Sequence, residues 1–255
     1  YYKDAAALNN ALLSGGIQVI SQVTAPDALG QFSDESKYQV LQGTTNGEVV
    51  LGLNHQNKAL SKLEVRQALT MAIDRKALMD TVWNGQGTLI GSMAVPTDPW
   101  FEDLSGTNPY DPDRAKALLK EAGQQNLALT LTIPSFYGST VPQLLTSDFK
   151  KVGVTLTVNS VEFPAWLDTV YTKHDYDLSF VLHVEPRDFG NFANPAYYFG
   201  YDNAEVQKLY AQSQTELDAT KSAALLSQAA EIVAKDAGRP AGAGTARADK
   251  PQPTR

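Results

Sequence analysis

Between residues 127 and 182 the chain alternates strand-like and helix-like segments, and this pattern leaves few folds open. Residues 127–133 (LALTLTI) set leucine or isoleucine against threonine and alanine, the period-two pattern of a half-buried strand. Residues 139–152 then read as a helix, 154–158 as a short strand, 164–171 as a helix and 178–182 as a third strand. Strands joined in this way by helical crossovers run parallel, so an α/β layer with a largely parallel sheet is expected.

The flanking segments extend that layer. Residues 4–13 read as a helix with Asp4 as its cap, stopped by Gly15 and Gly16, and residues 17–20 as a short strand. Residues 38–41 and 48–54 have the aromatic and β-branched character of strands, with the turn-prone pair Asn46 and Gly47 between them, and are expected to pair. Residues 63–83 carry apolar positions at helical spacing, interrupted at Asp74, a residue suited to capping a second helix. An irregular stretch, 87–109, contains Gly91, Pro96, Pro99, Gly106 and Pro109 beside the aromatic pair Trp100 and Phe101. Asp111 then caps a helix that opens on Pro112 and closes at Gly123. Two more helices, 204–217 and 220–235, meet at Asp218. Beyond Asp236 the composition turns to glycine, alanine, proline and arginine, too poor in apolar side chains to offset the entropy of ordering, so residues 238–255 are expected to form a disordered tail.

Composition narrows the function. A chain of 255 residues that is 43% hydrophobic and 19% charged buries a core of its own. Its net charge of −7, with no cluster of lysine and arginine, argues against nucleic acid as a partner. Cysteine is absent, which excludes disulfides, thiolate metal sites and cysteine nucleophiles together and suits an exported bacterial protein. No apolar run approaches the roughly 20 residues that span a bilayer. The first residues, YYKD, have none of the regions of a signal peptide.

Several local patterns, taken in order, resemble the family 5 extracellular solute-binding proteins, the dipeptide, oligopeptide and nickel binders of ABC importers. They are residues 4–7 running on to 13–17, Asn54 ahead of VRQALTMAIDR at 65–75, YDP at 110–112 with AKALLKEAG at 115–123, FKKVGV at 149–154, and YD at 176–177. The resemblance implies a periplasmic-binding-protein type II-like α/β clamp of two lobes. Residues 1–92 would be an incomplete first lobe with its hinge, and 93–237 the second lobe. It implies an extracytoplasmic, monomeric protein that binds peptides between its lobes and delivers them to ABC importer permease subunits. Membrane association would be only through a lipid anchor outside this chain, and no cofactor is called for. Family members are roughly twice as long, so the chain is expected to lack the start of the first lobe. A nickel chelate, haem, opine or oligosaccharide is the alternative ligand.

The candidate site is the loop after the third strand, His183, Val184, Glu185, Pro186, Arg187 and Asp188, because ligands of α/β sheets gather beyond the carboxyl ends of strands. In peptide-binding members of the family an aspartate in this loop pairs with the peptide's α-amino group, and Asp188 matches it. The tryptophan that often precedes that aspartate in relatives is absent here. Arg187 has the geometry to grip a carboxylate, yet Glu185 and Arg187 equally suit a surface ion pair. Trp100 and Phe101 suit a cleft wall or a loop pinned by buried rings. The aromatics Phe192, Tyr197, Tyr198, Phe199 and Tyr201 divide in the same way, with packing as the default. An enzymatic alternative, a glycoside hydrolase using Glu185 and Asp188, rests only on their being two nearby carboxylates. The three histidines, His55, His174 and His183, lack metal-ligand spacing, and no nucleophile elbow or phosphate-binding loop is present.

Overall fold

A computed structural model of the chain describes residues 2, 5–21, 26–41, 43–185, 187–237 and 241–246. Its elements are α1 (Ala5–Leu13), β1 (Thr44–Leu53), α2 (Leu63–Ala72), α3 (Arg75–Trp83), β2 (Thr88–Leu89), α4 (Pro112–Glu121), β3 (Ala128–Pro134), α5 (Thr140–Lys151), β4 (Thr155–Val161), α6 (Phe163–Trp166), β5 (Leu178–His183), α7 (Ala204–Thr215), α8 (Ala219–Lys235) and β6 (Ala241–Ala246). A π-helical turn, Leu167–Thr172, continues α6, and a 3-10 turn, Asp188–Ala193, follows β5.

Helix starts follow the local chemistry of their caps. The Asp74 carboxylate accepts from the Ala77 amide, Asp111 from Arg114, and Asp218 from Thr220 and Lys221, each satisfying donors that the first helical turn leaves unpaired. The expected Asp4 cap lies outside the described residues. Gly123 ends the α4 segment at φ +69°, a left-handed conformation open to glycine at little cost.

The strands form one six-stranded sheet in the order β2-β6-β1-β5-β3-β4. Parallel pairing holds for β3 with β4 and with β5, as the alternating segments predict, but β1, β6 and β2 pair antiparallel, so the sheet is mixed. Four expectations are corrected here. Residues 17–20 and 38–41 are not strands, and no hairpin forms at Asn46 and Gly47 because β1 runs straight through them and pairs with β5 instead. Residues 241–246, expected in the disordered tail, add a strand to the free edge of β1; a backbone ladder needs no apolar side chains. Residues 238–240 and 247–255 lie outside the described residues. Strand β1, which precedes residue 92, sits between β5 and β6, which follow it, in one sheet.

Period-two alternation gives the sheet two buried faces. On one, Val49, Leu51 and Leu53 of β1, Leu129, Leu131 and Ile133 of β3, and Leu178 and Phe180 of β5 meet the apolar stripes of α2, α4 and α5. On the other, Val50 and Val181 meet Trp166, Val170, the aromatic run Tyr198 to Tyr201, and the inner faces of α7 and α8. The centres of β1 and β5 are thus buried on both faces, a layered arrangement that leaves the strand ends as the place for a ligand.

The irregular stretch 87–109 is packed against this body. Arg75 donates to the Ser105 and Asn108 carbonyls at 2.7 and 3.2 Å, and the Asn108 side chain donates to the Ala234 carbonyl at 2.9 Å. Gly91 approaches Leu104 so closely that an added Cβ would stand 2.1 Å from the Leu104 carbonyl oxygen. Gly91→Ala is therefore expected to lower stability by about 1–3 kcal/mol through overpacking. A urea midpoint equal to that of the wild type would show that the loop yields without cost.

Candidate functional site

The site is built on β5, a central strand pinned on both sides by β1 and β3. Its last residue, His183, is buried at 7% exposure and sits on the same face as Val181. The His183 Nε2 shares a hydrogen bond of 2.9 Å with the Tyr198 hydroxyl, and the two rings lie parallel, 4° apart in plane. The ring is therefore fixed with Nδ1 toward the following loop.

That loop turns sharply at Arg187, whose φ of 60° and ψ of 34° put a non-glycine residue in the left-handed region. The turn brings Asp188 back to the strand end. Its Oδ2 lies 3.7 Å from His183 Nδ1, and the Glu185 Oε2 lies 3.9 Å from the same atom. Asp188 is buried at 8% of its side chain, whereas Glu185 is 69% exposed. One donor atom from each of the three residues falls within 4.8 Å of the others, which is close enough for a metal ion to draw them together.

Glu48, which the sequence did not single out, pairs with His183 across the β1–β5 ladder. Cross-strand partners share a face, so a carboxylate buried at 1% exposure stands on the His183 side of the sheet. No local pattern marks it, because the pairing joins residues far apart in the chain.

An open cleft of about 380 Å³ lies over this strand end. Its polar side is His183, Glu185, Asp188 and Asn191; its apolar wall is Phe163, Trp166, Leu167, Tyr171 and Tyr197, with Val181 and Leu182 at the base. Of the expected site residues the structure therefore brings together His183, Glu185 and Asp188. It does not bring in the others. Arg187 is exposed, is not among the cleft residues, and is near enough to Asp98 to favour that carboxylate's charge; burial outweighs this and raises the Asp98 pKa above the usual aspartate value. Trp100 is 6% exposed within the second core and its carbonyl accepts from the Ser227 hydroxyl at 3.0 Å. Phe101 packs beside it. Both rings pin the loop rather than line the cleft.

Tyr201, another aromatic of the cluster, is structural. Its hydroxyl donates to Asp236 at 2.8 Å, and burial together with that carboxylate pushes it well above the usual tyrosine range. Among the other residues lining the cleft, the apolar wall was visible as a helix but not as a site. Its signal was the spacing of Phe163, Leu167 and Tyr171, four residues apart.

Comparisons with known proteins agree with this architecture. The family model of the bacterial extracellular solute-binding proteins, family 5 Middle, matches residues 1–205. Di/tripeptide-binding protein 1 of Pseudomonas aeruginosa is 31% identical over 124 residues, 46% of this chain and 23% of that protein. Heme-binding protein A of Haemophilus influenzae is 26% identical over 201 residues, 75% of this chain and 36% of that protein. Among solved structures, the ABC transporter-associated periplasmic binding protein DppA from Helicobacter pylori, in complex with peptide STSA, superimposes with a TM-score of 0.83 at 20% identity. That match covers 96% of this chain and 50% of the other. The chain thus has the periplasmic-binding-protein type II α/β fold and spans about half the length of the solved structure, and less of the curated relatives.

Proposed function

The chain belongs to family 5 of the bacterial extracellular solute-binding proteins, and from that premise we propose that it is the ligand-holding lobe of a peptide-binding component of an ABC importer. The observation that carries peptide over other solutes is the charge of the cleft. It presents two carboxylates, Glu185 and Asp188, and no lysine or arginine among its lining residues. Such a ledge suits a cationic group, which needs a counter-charge once it leaves water. The α-ammonium of a peptide is that kind of group, whereas the propionates of haem and the carboxylates of a metal chelate would meet repulsion.

In this role Asp188 is the principal counter-charge, because burial among apolar neighbours strengthens an ionic contact that solvent would screen at Glu185. His183 acts as a positioning residue, held by Tyr198 and turned to both carboxylates. Binding would proceed by closure of two lobes over the ligand outside the cytoplasm. The protein would act as a monomer, tethered by a lipid outside this chain, and pass its cargo to permease subunits. Among the described residues no helix is long and apolar enough to cross a membrane. Both carboxylates lie beside one imidazole, with Glu185 Oε2 and Asp188 Oδ2 at 3.9 and 3.7 Å from His183 Nδ1, an arrangement that suits holding one cation.

Calorimetry of the full-length protein with di- to pentapeptides tests the assignment. Peptide binding that weakens on N-acetylation is the expected result. No peptide binding, alongside tight binding of haem or a sugar, would reject it. A second reading, a metal-centred ligand, is favoured by the His183, Glu185 and Asp188 donor set. Titration with Zn²⁺ or Ni²⁺ decides it: heat that is lost in His183→Ala supports a metal, and its absence in the wild type removes this alternative.

A further inference from the structure

The helix that walls the cleft has an unusual outer face. Through α6 and its π-helical continuation, Trp166 and Val170 are buried at 3% and 0% exposure, as the inner face of a packed helix should be. The outward positions of such a helix are ordinarily polar. Here Phe163, Leu167 and Tyr171 occupy them, each about two-fifths exposed, and all three line the cleft. A contiguous row of half-open apolar side chains at helical spacing marks a surface that is covered during function.

The row is continuous with the charged end of the cleft. Phe163 stacks on Trp166 with ring centroids 5.7 Å apart, and the Tyr171 ring meets Tyr197 edge-on at 5.8 Å. Tyr197 in turn lies 6.5 Å from the His183 ring, which adjoins Glu185 and Asp188. An apolar wall and an anionic ledge therefore face one volume of about 380 Å³, at the small end of ligand pockets. That volume suits a single residue with its amino group better than an extended peptide. A ligand carboxylate finds no cationic partner among the lining residues.

We propose, resting on the peptide reading above, that this cleft selects peptides whose first residue carries an apolar or aromatic side chain. The ammonium sits against Glu185 and Asp188, and the adjoining side chain lies along Phe163, Leu167 and Tyr171. The rest of the peptide leaves through the open side of the cleft. The charge of the ledge and the chemistry of the wall together define this occupant: a cation with an apolar group one residue's reach away.

The test is calorimetry of the full-length protein with Phe-Ala-Ala, Leu-Ala-Ala, Ser-Ala-Ala, Lys-Ala-Ala and Ala-Ala-Phe. Phe-Ala-Ala and Leu-Ala-Ala are expected to bind at least tenfold more tightly than Ser-Ala-Ala and Ala-Ala-Phe, the discrimination an apolar subsite typically gives. Leu167→Asn, at a position about two-fifths exposed, should weaken Phe-Ala-Ala and narrow its advantage over Ser-Ala-Ala, with an unchanged urea midpoint as the check that the variant folds. Equal affinity for all five peptides, or a preference for Lys-Ala-Ala, would overturn the proposal while leaving peptide binding intact. Failure of every peptide to bind would instead reject the peptide reading on which it rests.

Discussion

Phe180→Ala is expected to lower the stability of the fold by about 3–5 kcal/mol while leaving the ligand affinity of the folded protein unchanged. Phe180 is 2% exposed on the central strand β5, edge-on to Tyr137 at 5.4 Å and stacked with Trp83 at 6.4 Å. Removing the ring forfeits those contacts and leaves a cavity that cannot collapse, because β5 is held between β1 and β3 and Tyr137 accepts a 2.7 Å hydrogen bond from the Leu182 amide. The separation of effects follows from strand geometry. Phe180 points to the face covered by α2, α4 and α5, whereas His183 points to the opposite face. Urea denaturation and peptide calorimetry on the same preparation check both halves. A loss below about 1 kcal/mol would mean that the core repacks more freely than its density suggests. A loss of affinity in the folded fraction would mean that the two faces are coupled through the strand.

How much of this was legible in the sequence depended on whether the deciding interaction was local. Asp74 and Asp111 were readable as caps because each bonds an amide three residues ahead. The helices and strands between residues 127 and 182 were readable because their periodicity is carried by neighbouring residues. Partner choice was not local. Asn46 and Gly47 have the propensity of a hairpin turn, yet they lie within β1, and the Asn46 side chain donates to the Val184 carbonyl, 138 residues away. The same pairing places Glu48 opposite His183. Residues 241–246 were missed because a ladder of backbone hydrogen bonds leaves no mark in side-chain composition. At the site, the end-of-strand position identified His183, Glu185 and Asp188. Trp100 and Phe101 misled because an aromatic ring in a loop has the same sequence signature whether it faces the cleft or the core. Leu167 and Tyr171 fell in the expected helix 164–171 and Phe163 just before it, but which face of that helix stays open is settled only by what packs on the other.

Asp188→Asn is expected to weaken binding of a peptide with a free amino end by about 2–5 kcal/mol, the usual effect of removing one partner from a desolvated, hydrogen-bonded charge pair. In affinity this is roughly 30-fold to several thousand-fold. The substitution keeps the shape of the side chain and removes its charge, so the 3-10 turn Asp188–Ala193 should persist. Glu185 is too exposed to replace the lost charge in full. The control is the N-acetylated form of the same peptide, which carries no ammonium. If Asp188 acts by charge, the variant loses affinity for the free peptide and not for the acetylated one, and the two affinities converge. If it only shapes the loop, both fall together. A loss smaller than tenfold for the free peptide would remove Asp188 from the role of counter-charge. The ammonium would then belong to Glu185, and Glu185→Gln should show the larger effect, one that falls further as salt is raised because that carboxylate is open to solvent.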